Sequence, residues 1–245
     1  NANVVLGRVL YELKKKADFT VVSVDGGLKD NAITRSARAI LMFAPGQEDL
    51  FMDILKEQQG IIEKEYHKTD AGMSIEGFLE LSKEDAESVA GVLPMTDVCG
   101  NAVITALRTF PWGVQKMSKD MEGLVQTSLN PGILETKADT VSLVFSVRSS
   151  VASEKEELYD RLVCLTESLG GKVSRSGDYP AWEYVEDSKL RTLMGDTYRE
   201  MYKKEPVMEV IHAGVECGLF SEKMPGLDCV SYGPDIFDTV SYTHL

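Results

Sequence analysis

Hydrophobic positions open the chain at helical spacing. Val4, Val5, Leu6, Val9, Leu10 and Leu13 share one stripe, and Lys14, Lys15 and Lys16 close it where cations complement the helix dipole. Residues 19–24 are apolar and β-branched, which predicts a strand, with Asp25-Gly26-Gly27 as its turn. A second strand is predicted over 32–43, introduced by Leu28-Lys29-Asp30-Asn31 and ended by Pro45-Gly46. Leu50, Phe51, Ile54, Leu55, Ile61 and Ile62 then predict a long amphipathic helix over 48–66, with His67 solvated at its end. Partial alternation of Met73, Ile75, Leu79 and Leu81 predicts a third strand over 73–81. Residues 98–110 read as a helix that stops at Pro111-Trp112-Gly113.

Two strand-like runs, 123–134 and 140–149, follow as a pair joined by Thr136-Lys137-Ala138-Asp139. In the second, Val141, Leu143, Phe145 and Val147 point one way and Ser142, Val144, Ser146 and Arg148 the other. Ser153-Glu154-Lys155-Glu156 has the form of a capping box for a helix through Leu158, Leu162, Leu165 and Leu169, stopped by Gly170-Gly171. A short strand over 172–176 leads to Gly177-Asp178-Tyr179-Pro180-Ala181-Trp182, where the pattern changes. Beyond it a helix from Asp187 or Ser188 is expected to bury Leu190, Leu193, Met194, Tyr198 and Met201. Strands are predicted at 207–210 and 228–232, with a short helix carrying Leu219 and Phe220 between them. The first ~175 residues thus read as an α+β layer of sheet and helices, and the last ~70 alternate helix and strand like the edge of an α/β domain.

Composition narrows the partners. The 245 residues carry a formal charge of −13, which argues against nucleic acid or an anionic membrane as a partner. Four scattered cysteines (Cys99, Cys164, Cys217 and Cys229) form no C-x-x-C pair, as expected of reduced thiols in the cytoplasm. No apolar run approaches the ~20 residues that cross a bilayer.

Chemistry-bearing side chains concentrate in Ile211 to Phe220, where His212, Glu216 and Cys217 are interleaved with Gly214 and Gly218. A strand that ends in glycines and polar residues before a helix is a common ligand position in α/β enzymes. A lone His-Ala-Gly more often marks turn geometry alone. Asn31 is read locally as a turn residue, and Arg148 as either a solvated edge charge or a planar clamp for a carboxylate.

Several segments together resemble the bacterial aminoacyl-histidine dipeptidases, the carnosine-type zinc exopeptidases. They are Asn1-Ala2-Asn3, Asn31-Ala32-Ile33, Thr127-Ser128-Leu129-Asn130 and Val147-Arg148-Ser149. With them come Tyr179-Pro180-x-Trp182, Ile211-His212-Ala213-Gly214-x-Glu216-Cys217-Gly218-Leu219-Phe220 and Val230-Ser231-Tyr232-Gly233-Pro234-Asp235-Ile236. Each is weak alone, and their order and spacing make the set specific. The resemblance implies an inserted lid and dimerisation domain of sheet plus helices over 1–176, followed by the C-terminal edge of a zinc-exopeptidase-like α/β catalytic domain over 177–239. It implies a homodimer through the lid and hydrolysis of Xaa-His dipeptides, of the β-alanyl-histidine type, by water activated on a two-zinc site. Asn31 and Arg148 match lid residues that hold the substrate and its carboxylate, and His212, Gly214 and Glu216 match the pocket-lining loop. Glu216 is suited to a substrate's free amino group.

The family's other motifs are missing from this sequence. The metal-binding residues, the glutamate base and the oxyanion histidine are expected before Asn1, and the last zinc ligand is expected at the position of Val240. Residues 240–245 look like adapter-derived sequence. The chain is therefore expected to be an inactive fragment that binds no zinc, with neither a catalytic residue nor a metal ligand of its own. A noncatalytic oligomerisation or binding module built from the lid is the alternative. A cysteine hydrolase using Cys217 and His212 lacks a third orienting residue.

Overall fold

The structure, a computed structural model, describes residues 1–119, 121–208 and 216–233. It is a mixed α/β fold. Helix α1 (Ala2–Lys16) leads to strands β1 (Phe19–Gly26) and β2 (Ala37–Phe43). Helices α2 (Glu48–Tyr66), α3 (Lys83–Ser88) and α4 (Asp97–Thr109) come next. Strands β3 (Gly113–Met117), β4 (Val125–Thr136) and β5 (Val141–Ser149) precede helices α5 (Ala152–Ser168), α6 (Lys189–Tyr202) and α7 (Glu216–Lys223). The strands form one sheet in the order β2-β1-β4-β3, with β5 also paired to β4. The chain divides into two compact units. One comprises Asn1–Gln115, Ser128–Val147 and Glu157–Ser174, and the other Lys116–Thr127, Arg148–Glu156 and Arg175–Leu245.

The first unit is built on the antiparallel pair β1–β2, in register from Phe19↔Phe43 to Gly26↔Ala37. Val22 is the extra residue of a bulge between Val21 and Ser23, and Val21 through Val24 are all buried as a result. The helical stripe read from the sequence is the buried face of α1, where Val9, Leu10 and Leu13 meet Val21, Val24, Ile104 and Leu107. Phe51 of α2 closes the other end of the pair, stacked on Phe43 at 4.0 Å and edge-on to Phe19 at 5.9 Å. Val141 and Leu143 of β5 join this core, while Phe145 and Val147 pack on a second cluster of Leu129, Leu158 and Leu162. The predicted alternation in β5 therefore sorts one face onto two small cores.

Several local expectations are corrected. Strand β2 starts at Ala37, because residues 31–36 are held in a loop by side-chain hydrogen bonds rather than by a ladder. Residues 73–81 form no strand. Gln59 of α2 accepts from the Ile75 N–H at 2.6 Å and donates to the Met73 carbonyl at 3.2 Å, so this backbone is satisfied by a helix side chain. Strand β3 was not foreseen in the short run after Pro111.

In the second unit, helix α5 begins at Ala152, which places Ser153 inside the first turn. The Glu156 carboxylate pairs with Arg175 at 2.7 and 2.8 Å, so the expected capping box does not form. Ser188 does cap α6, its hydroxyl accepting from the Arg191 N–H at 3.0 Å. That helix buries less than predicted, since Leu193 is 63% and Met201 67% exposed. Residues 172–176 and 228–232 carry no strand, their backbone being held by ion pairs and by the Asp228 anchor described below. The strand predicted over 207–210 falls partly outside the described residues.

Helices α1 and α4 cross where Gly7 faces Leu107. A Cβ on Gly7 would lie 2.5 Å from the Leu107 Cβ. Gly7→Ala is expected to destabilise the chain by about 1–3 kcal/mol through overpacking, despite alanine's better helix propensity. The urea midpoint of the variant checks this, and a midpoint at or above that of the parent chain contradicts it.

Candidate functional site

The residues that matched family motifs in the first unit converge on one hydrogen-bonded knot. Asn1 caps α1, its side-chain oxygen accepting from the Asn3 N–H at 3.0 Å. The same side chain donates to the Asn130 oxygen at 2.8 Å and to the Pro131 carbonyl at 3.1 Å. Asn3 is fully buried and donates to Thr34 Oγ1 at 3.3 Å and to the Pro131 carbonyl at 3.1 Å. Thr34 in turn donates to the Gly132 carbonyl at 2.8 Å, and its own carbonyl accepts from the Ala2 N–H at 2.8 Å. Asn130 donates to the carbonyls of Asp30 at 3.1 Å and Ala32 at 2.8 Å, one on each side of Asn31. Gly27, at φ +81°, permits the approach of the Gly132 carbonyl, which would stand 1.8 Å from a Cβ there. The outcome is a loop fixed at its flanks that presents the exposed Asn31 side chain, whose own N–H donates to the Asp30 carboxylate at 2.8 Å.

Arg148 belongs to the second unit, exposed near the end of β5. The next residue, Ser149, is locked: its hydroxyl lies 2.9 Å from Thr127 Oγ1 and accepts from the Val151 N–H at 3.0 Å. Thr127 donates a short hydrogen bond to Glu154, which also receives Gln126 at 2.9 Å and Lys116 at 3.0 Å. Burial alone would push the Glu154 carboxyl up. The donors from Thr127, Gln126 and Lys116 outweigh it and hold the carboxyl below its ordinary value.

A second ion-pair group in this unit fixes the Tyr179-Pro180 segment. Lys155 reaches Asp178 and the Tyr179 carbonyl, both at 2.7 Å, and Arg175 bridges Glu156 and Asp178. Hydrogen bonds from Lys155 and Arg175 keep Asp178 below the usual carboxylate range. Glu216 is exposed in the first turn of α7, where a negative charge suits the dipole. Gly218, one turn face away, admits the Pro180 carbonyl at 2.7 Å from the position of a Cβ. Burial, followed by the charges of Glu216 and Cys217, pushes the Tyr179 hydroxyl up.

Asn31 thus sits in the first unit, and Arg148 and Glu216 in the second. His212, Gly214 and Val240 lie outside the described residues. The anchoring roles of Thr34, Asn130 and Glu154 escaped sequence reasoning. The only signal for them was that Asn1-Ala2-Asn3 and Thr127-Ser128-Leu129-Asn130 stood out as motifs. Among the described residues no group of three His, Cys, Asp or Glu side chains is arranged to hold a metal ion. None of the described helices is long and apolar enough to cross a membrane.

Comparison with known proteins agrees with this arrangement. Residues 1–70 match the peptidase dimerisation domain of the M20 family. Over 236 residues the chain is 30% identical to the cytosol non-specific dipeptidase of Escherichia coli (strain K12), covering 96% of this chain and 47% of that protein. It superposes on the crystal structure of aminoacylhistidine dipeptidase from Vibrio alginolyticus with a TM-score of 0.83 and 30% identity, over 96% of this chain and 46% of that one. The chain belongs to the M20 dipeptidase family. It spans about half the length of the M20 relatives it matches. The resemblance carried by the motifs is borne out at the level of the family, and the mixed sheet-and-helix fold with it.

Two outcomes test the geometry of this M20 chain. Asn130→Ala removes the donors to Asp30 and Ala32, and is expected to cost about 1–3 kcal/mol. It should also speed amide exchange across residues 28–34, and unchanged exchange there contradicts the knot. For Glu154, the folded-state value lies below the ordinary 4.5, so its stabilisation is full above that pH and fades as pH falls through the folded value. Glu154→Gln should therefore lower stability at pH 7 and converge with the parent chain in acid, as followed by urea melts at both pH values.

Proposed function

We propose that this chain is part of a zinc-dependent dipeptidase that hydrolyses Xaa-His dipeptides of the β-alanyl-histidine type. The observation that carries the reading is the 30% identity, over 96% of the chain, to two proteins whose names describe dipeptidases. One is called non-specific and the other aminoacylhistidine, and the motif set read from the sequence favours the second. Residues 1–176 serve as the lid and residues 177–239 as part of the catalytic domain. The dimerisation-domain match at residues 1–70 supports a homodimer. The name of the Escherichia coli relative supports a cytoplasmic location.

In this reading the chain's own residues hold substrate. Asn31, on its pinned loop, offers an amide donor and acceptor to the peptide. Arg148 offers a planar fork of donors to the terminal carboxylate, and its position is steadied by the Ser149–Thr127–Glu154 latch. Glu216 pairs with the free amino group, and His212 and Gly214 line the pocket. Zinc, when bound to the parent enzyme, activates the attacking water. The described residues supply no ligand set for it, so its site belongs to other parts of the enzyme.

The test is hydrolysis by the parent enzyme, with β-alanyl-histidine compared against a dipeptide ending in alanine. Faster zinc-dependent cleavage of the first is expected. Equal rates remove the Xaa-His preference, and no hydrolysis of either removes the dipeptidase reading. In the same enzyme Arg148→Ala should raise KM roughly 10- to 100-fold, the loss of a charge-assisted hydrogen bond. Lysine should restore part of it. The match to a dimerisation domain also favours a second reading, a noncatalytic self-association module. Sedimentation of an inactive dimer would support it.

A further inference from the structure

Two cysteines of the second unit meet although they are separated in sequence. Cys217 lies in the first turn of α7. Past the end of that helix the chain turns back on itself. The Met224 N–H donates to the Phe220 carbonyl at 2.8 Å, the Leu227 N–H to the Met224 carbonyl at 3.0 Å, and Gly226 takes φ +85°. Asp228 then anchors the returning strand of chain. Its carboxylate accepts from Ser188 Oγ at 2.6 Å and from the Leu190 N–H at 2.8 Å, at the start of α6. The next residue is Cys229, and its thiol and that of Cys217 are hydrogen-bonded to each other. Both are half-buried and unoxidised. Gly218 on Pro180 keeps α7 from drawing away.

We propose that Cys217 and Cys229 are a redox pair that closes to a reversible disulfide when the protein meets a peroxide. Peroxide oxidises one sulfur to a sulfenic acid and releases water. The second sulfur attacks it, the S–S bond forms, and the departing hydroxide leaves as water with the second thiol's proton. Two thiols and one hydrogen peroxide thus give one disulfide and two waters. Two sulfurs already within hydrogen-bonding reach need only a small approach to bond, provided their carbon frames allow the dihedral. Burial, then the neighbouring Cys229 and Glu216, push the Cys217 thiol up, which makes it a poor target for bulky external reagents. Cys99 and Cys164 are exposed on α4 and α5 of the first unit. Closure would tie the turn carrying Glu216 to the Val230-Ser231-Tyr232 segment, and so freeze two motif stretches against each other. The chemistry stands whether or not the dipeptidase reading does.

The experiment uses the whole chain, reduced, freed of reductant and treated folded with hydrogen peroxide. Excess peroxide is removed, and the chain is then unfolded in urea with N-ethylmaleimide and weighed intact. The untreated chain should take a label on each of its four cysteines, and the oxidised chain on half of them, with full labelling restored by dithiothreitol. Non-reducing peptide maps should join Cys217 to Cys229. Oxidation in urea should lose that selectivity, and C217S should show no intramolecular disulfide. Where C217S does not fold, the map of the parent chain decides. Full labelling after peroxide, a disulfide through Cys99 or Cys164, or Cys217 driven to sulfinic acid with Cys229 free would each overturn the proposal.

Discussion

A buried amide organises the first unit. Asn3 is removed from water on the first turn of α1, and an unpaired polar group there costs on the order of 1–3 kcal/mol. Its donors are satisfied only if Thr34 and Pro131 come to it, from a loop and a strand that are distant in sequence. Once they do, Asn1, Asn130 and Gly132 follow, and the loop bearing Asn31 is held on both flanks. Hydrophobic burial of α1 against β1 and α4 supplies the stabilisation, and the asparagines decide the register in which it is collected.

The second unit uses charge where the first uses amides. Short ion pairs among Lys155, Arg175, Glu156 and Asp178 fix the Tyr179 backbone, and Glu154 gathers three donors beside the end of β5. Most of these side chains are partly exposed, so individual pairs contribute modestly to stability. Their value is positional. They set where Arg148 and the Tyr179-Pro180 segment stand relative to the rest of that unit, the kind of rigid support a binding side chain needs.

Elements with strong periodicity were legible in advance. The stripe of α1, the full length of α2 and the alternation of β5 follow from spacing alone, because burial of one face is a property of the local pattern. Residues 73–81 were misread because Gln59, in another element, satisfies a backbone that alternation had assigned to a ladder. Ser153 and Glu156 were misread for a similar reason: Arg175 draws the glutamate away from the helix end. Asn31 and Arg148 were legible as motif members, whereas Asn130 and Glu154 were not, since a hydrogen-bond anchor leaves no periodic trace.

By itself, the sequence determined membership in a dipeptidase family, the mixed sheet-and-helix class and the faces that are buried. Those depend on residue order and on spacing, which are one-dimensional. Only the tertiary structure decided that three asparagine motifs share one knot, that Ser149 is latched through Thr127 to Glu154, and that Cys217 returns to Cys229. These contacts join residues whose separation along the chain carries no signal. Hydrogen-bond geometry within a few ångströms selects them, and the folded backbone alone brings them that close.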